Sequence, residues 1–152
     1  MRTVKNVQIT KTNNTINIKF TGNSMARNDF LDILRDYFFE SFSRFKMQNI
    51  MGAFFIEIIK NIYDHAKGFG EMILEEKDDF IYFQIKDFGK EKIDLETIGK
   101  IFYSTKKHLD DSPNRGIGMG MIYDVGNNPK LVKDFFISDK KGLCYSGKWI
   151  KQ

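Results

Sequence analysis

Val7-Gln8-Ile9-Thr10 and Ile16-Asn17-Ile18-Lys19-Phe20 alternate apolar and polar residues around the polar turn Thr12-Asn13-Asn14. A period of two bounded by turn residues predicts a β-hairpin. Gly22-Asn23-Ser24 interrupts the alternation, and Asn28 is placed to cap a helix from about Asp29 to Phe45. A second helix is expected from near Asn49 to about Lys67, ended by Gly68. Met72-Ile73-Leu74 and Phe80 to Lys86 form a second hairpin across Glu76-Lys77-Asp78-Asp79. Asp94 would cap a short helix through Phe102, and Ser104 to Asn114 reads as a polar loop. A glycine run, Gly116-Ile117-Gly118-Met119-Gly120, leads into another short helix stopped by Gly126-Asn127-Asn128-Pro129. Phe135 to Ser138 and Leu143 to Ile150 make the last hairpin over Asp139-Lys140-Lys141-Gly142. Three hairpins and a few helices, with no repeat and no linker, predict one domain over residues 1–152: an α+β two-layer sandwich with a mostly antiparallel sheet.

Composition narrows the function. A chain of 152 residues with 41% apolar and 29% charged residues can build one core and is not disordered. Fifteen Phe, six Tyr and one Trp supply that core generously. Cys144 is the single cysteine, which excludes a disulfide scaffold and a cysteine-based zinc site. His65 and His108 are too few for a histidine-rich metal centre. The charge balance is 24 basic against 20 acidic residues, and the lysines are scattered in runs no longer than two. A nucleic-acid binder concentrates its cations with stacking aromatics between them, so no nucleic-acid partner is expected. The apolar run Ile50 to Ile56 is far short of a membrane span, and Met1 to Thr10 has no signal-peptide core. The expectation is a cytoplasmic protein with no membrane partner.

The second helix carries the first chemical signal. Its first half, Ile50 to Ile56, is apolar all round apart from Gly52 and is expected to be buried on every side. Its second half places Glu57, Asn61, Asp64, His65 and Gly68 on one face, at i, i+4, i+7, i+8 and i+11. Phe55, Ile58, Ile59, Ile62 and Ala66 keep the opposite face apolar. A helix merely emerging into water is the plain alternative. The strand from Phe80 supplies a second signal: period two puts Asp87 on the same inward face as Ile81, Phe83 and Ile85. An inward carboxylate is costly unless a hydrogen-bond donor meets it, as an adenine amino group would. Here the plain alternative is an Asp that starts a turn. The third signal is Gly116-x-Gly118-x-Gly120, whose amides can approach an anion at a helix start. It is not a dinucleotide fingerprint, and no Gly-x-x-x-x-Gly-Lys-Ser/Thr loop occurs.

Taken in order, Glu57-x-x-x-Asn61-x-x-Asp64-His65-Ala66, Asp87-x-Gly89 and Gly116-x-Gly118-x-Gly120-Met121 resemble the nucleotide-binding boxes of the GHKL superfamily. That superfamily includes gyrase, MutL and histidine-kinase ATP-binding domains. Ile101-Phe102-Tyr103-Ser104-Thr105-Lys106 looks like its lid-start segment. The resemblance implies the Bergerat, histidine kinase-like ATPase fold: a mixed, mostly antiparallel sheet covered on one face by helices. It implies ATP and magnesium as cofactors, with Asn61 as the magnesium ligand and Glu57 as the general base. Asp87 would read the adenine amino group, with Gly89 beside it. Asp64 and His65 would lie beside the nucleotide, and Thr105, Lys106 and Arg115 would belong to the lid. Gly116, Ile117, Gly118, Met119, Gly120 and Met121 would form the phosphate segment. Two departures stand out. Glu91 occupies the place of the family's second glycine, and Gly142-Leu143-Cys144 replaces a threonine-containing box. Both point to weaker nucleotide affinity.

A stand-alone domain of this size is similar to the anti-sigma-factor serine/threonine kinases. The resemblance therefore implies a sigma factor and a STAS-type protein as partners, the latter phosphorylated on serine or threonine. The alternatives are a detached ATP-binding module of a histidine-kinase signalling system, and a nucleotide-sensing interaction protein without turnover. Ser104 to Arg115 is expected to be a lid ordered by ATP. The first helix, with Phe30, Tyr37, Phe38, Phe39, Phe42 and Phe45, is expected to cover a homodimer or partner surface.

Overall fold

The computed structural model describes residues 2–4, 7–22, 28–29, 32, 49–88, 117–138 and 142–151. The strands are β1 (Arg2–Val4), β2 (Val7–Lys11), β3 (Thr15–Thr21), β4 (Phe69–Glu76), β5 (Phe80–Asp87), β6 (Val132–Ser138) and β7 (Cys144–Ile150). Two helices are described over their length, α1 (Asn49–His65) and α2 (Ile117–Gly126). Asn28, Asp29 and Asp32 are also helical, while the rest of the expected Asp29–Phe45 helix lies outside the described residues. The expected Asp94–Phe102 helix, the Ser104–Arg115 lid and the aromatics proposed for a dimer surface lie outside them too.

The strands form one seven-stranded sheet in the order β1-β2-β3-β4-β5-β7-β6, and every pairing is antiparallel. This corrects the expected fold class. No parallel pair exists among the described strands, so the described sheet is not mixed. Strands outweigh the two described helices, giving a sheet-dominated fold and not the helix-covered sandwich of the histidine kinase-like type. The reason lies in how the chain reverses. Lys67 (φ 53°) and Gly68 (φ 77°) take left-handed backbone, and Gly68 N–H donates back to the Ile62 carbonyl at 3.1 Å. Such a helix end turns the chain at once. Gly22 N–H then donates to the Gly68 carbonyl at 3.0 Å, and β4 runs back along β3 with Phe20 opposite Gly70.

All three expected hairpins are present. Alternate residues point to one buried face, and the register lines them up in rows. Ile9, Ile18, Met72, Ile85 and Tyr145 are successive partners across five strands. Val7, Phe20, Gly70 and Asp87 form the next row. Met51, Phe54, Phe55, Ile58, Ile59 and Ile62 of α1 join the same core. Phe54 and Phe55 meet Phe83 edge-on, with ring centroids 5.6 and 5.4 Å apart, and both rings neighbour Trp149. Gly147 faces Phe83 across the strands, where an added Cβ would come within 2.8 Å of the ring. Each large side chain buried this way contributes roughly 1.5–3 kcal/mol. That cluster fixes α1 against the sheet.

Candidate functional site

The expectation for the start of α1 needs correcting first. Met51, Phe54 and Phe55 are buried, but Ile50 is 47% exposed and Ala53 is exposed. A run of apolar residues reveals hydrophobicity and not direction. Ile50 and Ala53 fall on the angular stripe that Glu57, Asn61 and Asp64 continue. The apolar face of Phe55, Ile58, Ile59, Ile62 and Ala66 is buried as the pattern predicts. The polar stripe is graded, with Glu57 and Asn61 half-buried and Asp64 exposed. His65 is the last helical residue.

Asp87 ends β5 on the inward side and is only 5% exposed, the one buried charged residue among those described. Its placement follows from strand parity, since Ile81, Phe83 and Ile85 are buried on the same side. Its neighbours are shaped to receive it. Asp87 N–H donates to the Leu143 carbonyl at 2.8 Å, which draws the turn before β7 over the strand end. In that turn Gly142 takes φ +69°, and a Cβ there would overlap Asp87 Oδ1 and approach the Asp87 carbonyl oxygen to 2.8 Å. Gly70, opposite Asp87 on β4, plays a similar part toward the helix. A Cβ on it would come within 2.5 Å of the Lys86 carbonyl oxygen and 3.1 Å of Ile62 Cγ2. The missing side chain lets the last turns of α1 settle close to the strand end.

Tyr145 completes the arrangement. It pairs with Ile85 in the register, two residues from Asp87, so the two side chains are diagonal neighbours on the inward face. Tyr145 is 1% exposed, and its hydroxyl shares a hydrogen bond with the Asn61 side chain. Burial chiefly, then the nearby Asp87 carboxylate and Tyr123, raises its pKa well above the ordinary tyrosine range, against the lowering effect of that hydrogen bond. Burial also raises the Cys144 thiol, with Asp87 adding to the rise and Lys86 opposing it. Cys144 therefore stays protonated near neutral pH and is no reactive thiolate.

Glu57, expected as a general base, is engaged elsewhere: its Oε1 accepts a charged hydrogen bond from Lys60 Nζ at 2.9 Å. At the other end, α2 packs against α1 and begins at Ile117. Gly118, Met119 and Gly120 thus lie inside its first turn and do not form a loop before it. The first amides of a helix have no intrahelical acceptor, so such a turn can still face an anion. Met121 is half-buried against the core. Gly89, Thr105, Lys106, Arg115, Gly116 and Glu91 lie outside the described residues.

The structure therefore brings together Asn61, Asp87 and Tyr145, with Glu57 one helical turn earlier. Sequence reasoning missed Tyr145 and Gly70, and read Gly142 only as part of a replaced box and a turn. For Tyr145 a signal existed, because parity with Trp149 places a hydroxyl on an inward face. No group of three or more His, Cys, Asp or Glu side chains among the described residues is arranged to hold a metal. Magnesium carried in with a nucleotide would need few protein ligands, because it keeps phosphate and water oxygens. Asn61 fits the part: a carboxamide has both donor and acceptor capacity, so its bond to Tyr145 does not exhaust it. No helix among the described residues is long and apolar enough to cross a membrane. Comparison of the chain with family models, curated proteins and solved structures finds no match.

Proposed function

We propose that this chain binds ATP with magnesium and acts as a regulatory serine/threonine protein kinase of the anti-sigma-factor type on a STAS-like partner. The observation that carries the nucleotide part is the buried carboxylate of Asp87, linked through the Tyr145 neighbourhood to the Asn61 carboxamide. A buried acid accepts hydrogen bonds strongly, and the exocyclic amino group of adenine donates one. Asn61 would hold the magnesium, which neutralises phosphate charge when bound. The backbone amides at the start of α2 would face the phosphates. Glu57, one turn from Asn61, would orient the attacking hydroxyl once its carboxylate is released from Lys60. The kinase assignment and the partner rest on the sequence resemblance, since fold alone does not specify activity.

A second reading, a nucleotide sensor without turnover, has one observation in its favour. The Lys60–Glu57 pair at 2.9 Å occupies the carboxylate that catalysis would need. Incubation with labelled ATP and magnesium, with and without a STAS protein, separates the two. Label on a serine or threonine of the STAS protein supports the kinase. Saturable binding with no transfer and no hydrolysis supports the sensor. Absence of any saturable ATP binding refutes both.

A further inference from the structure

We propose that Tyr145 is a positioning residue whose buried hydroxyl holds the Asn61 carboxamide in the orientation a magnesium-bound nucleotide requires, and so links that carboxamide to the Asp87 end of the sheet. This inference rests on the nucleotide-binding reading and adds to it the residue that aligns the metal ligand. Three observations carry it. Tyr145 is 1% exposed and sits on a register position fixed by its pairing with Ile85, so its hydroxyl cannot wander. That hydroxyl shares a hydrogen bond with Asn61, and Asp87 is near enough to act on it electrostatically. Asn61 is half-buried on a helix anchored by Phe54, Phe55 and Ile58, which holds its backbone in place. The hydrogen bond shared with Tyr145 restrains its side-chain torsions. Groups that hold a ligand side chain in place are commonly worth 10–100-fold in metal affinity, although they never touch the metal. Phenylalanine at 145 would keep the ring and lose only the hydroxyl.

The test is calorimetric titration of ATP into the full chain, in magnesium and again in EDTA, for the unmutated protein, Tyr145→Phe, Asn61→Ala and the double variant. The readout is the ratio of the two affinities. Tyr145→Phe is expected to lower the magnesium-dependent gain by about 10–100-fold while leaving affinity in EDTA nearly unchanged. It is expected to add nothing further in the Asn61→Ala background. A tyrosine that merely packs would move both affinities together or neither. An unchanged ratio in Tyr145→Phe overturns the positioning role while ATP binding by the unmutated chain leaves the nucleotide reading standing. No ATP binding by the unmutated chain overturns the nucleotide reading and this inference with it. Should Tyr145→Phe lose its cooperative melt, the Asn61 side-chain NH₂ protons of the unmutated chain decide the matter by NMR. Slow exchange with solvent and a shift on adding magnesium and ATP support the role. Rapid exchange, or no shift, overturns it.

Discussion

Gly142→Ala is the sharpest test of how Asp87 is held. The position has φ +69°, and an L-residue in left-handed backbone costs about 1–2 kcal/mol. The new Cβ would also overlap Asp87 Oδ1 and sit 2.8 Å from the Asp87 carbonyl oxygen. One of two things must then yield. Either the carboxylate leaves a site where it is 5% exposed, or the turn opens and strains the 2.8 Å bond from Asp87 N–H to the Leu143 carbonyl. A hydrogen bond lost in this way is worth about 1 kcal/mol net. The two contributions together predict destabilisation of roughly 2–3 kcal/mol, or about 4–12 °C in Tm for a domain of this size. Urea unfolding followed by circular dichroism measures it. The Asp87→Ala background supplies the control, because it removes Oδ1 but keeps both the backbone carbonyl and the φ requirement. There the cost of Gly142→Ala should fall by about 1 kcal/mol. A cost under about 0.5 kcal/mol, or one that is identical in the two backgrounds, would show that Gly142 is not shaped around the carboxylate.

Other outcomes follow from the same geometry. Phe83→Ala removes a fully buried ring that meets Phe54 and Phe55 edge-on, and should cost about 3–5 kcal/mol in urea unfolding, whereas Phe136→Ser, at a residue 64% exposed, should stay within about 0.5 kcal/mol. Raised folded-state pKa values at Cys144 and Tyr145 mean that the folded chain keeps protons the unfolded chain loses from ordinary values of 9.0 and 10.0. Their contributions are complete below those values and decline as pH rises above them, Tyr145 by up to about 1.4 kcal/mol per pH unit. Melting between pH 8 and 11 checks this, and Tyr145→Phe should flatten the decline above pH 10. Asn61→Ala should abolish magnesium-dependent ATP binding, read by thermal shift with and without magnesium. Glu57→Ala should keep ATP binding and, under the kinase reading, lose about 10²–10⁴-fold in phosphate transfer. Unaltered transfer in that variant would remove Glu57 from the mechanism.

The hairpins were legible because each pairs a period-two run with a polar or glycine turn, two signals that agree. Strand β1 was not, because three residues carry too little alternation and the strand exists through its pairing with β2. Strand β6 begins three residues before its apolar run suggests. Asp134 (φ 54°) shifts the register between Lys133 and Phe136, and alternation across such a shift no longer reads as a strand. Sheet order was hidden for a different reason. Local pattern says which segments are strands and nothing about β7 entering between β5 and β6, a choice made by contacts such as Trp149 against Phe54 and Phe55. The same gap explains the corrected fold class: counting helices and hairpins alike gave the helices a share of the architecture that the seven-stranded sheet takes.

Within the candidate site the same division holds, and it shows why Tyr145 matters. Asp87 could be read from one strand, since its inward direction is fixed by the parity of Ile81, Phe83 and Ile85. Asn61 could be read from one helix, since its stripe is fixed by the period of α1. What neither element contains is the relation between them. That relation is made by residues whose importance appears only across elements: Gly70, which lets Ile62 approach the strand end, Gly142, which closes over Asp87, and Tyr145, which bonds Asn61 from β7. Two of the three are glycines, which act by an absent side chain, and an absence has no periodicity to detect. The third is a tyrosine in an aromatic-rich strand, where its ring disguises its hydroxyl as core. A site assembled in this way depends on register. A one-residue slip of β7 against β5 would turn Tyr145 outward and Ser146 inward, leaving α1 and Asp87 intact but no longer joined.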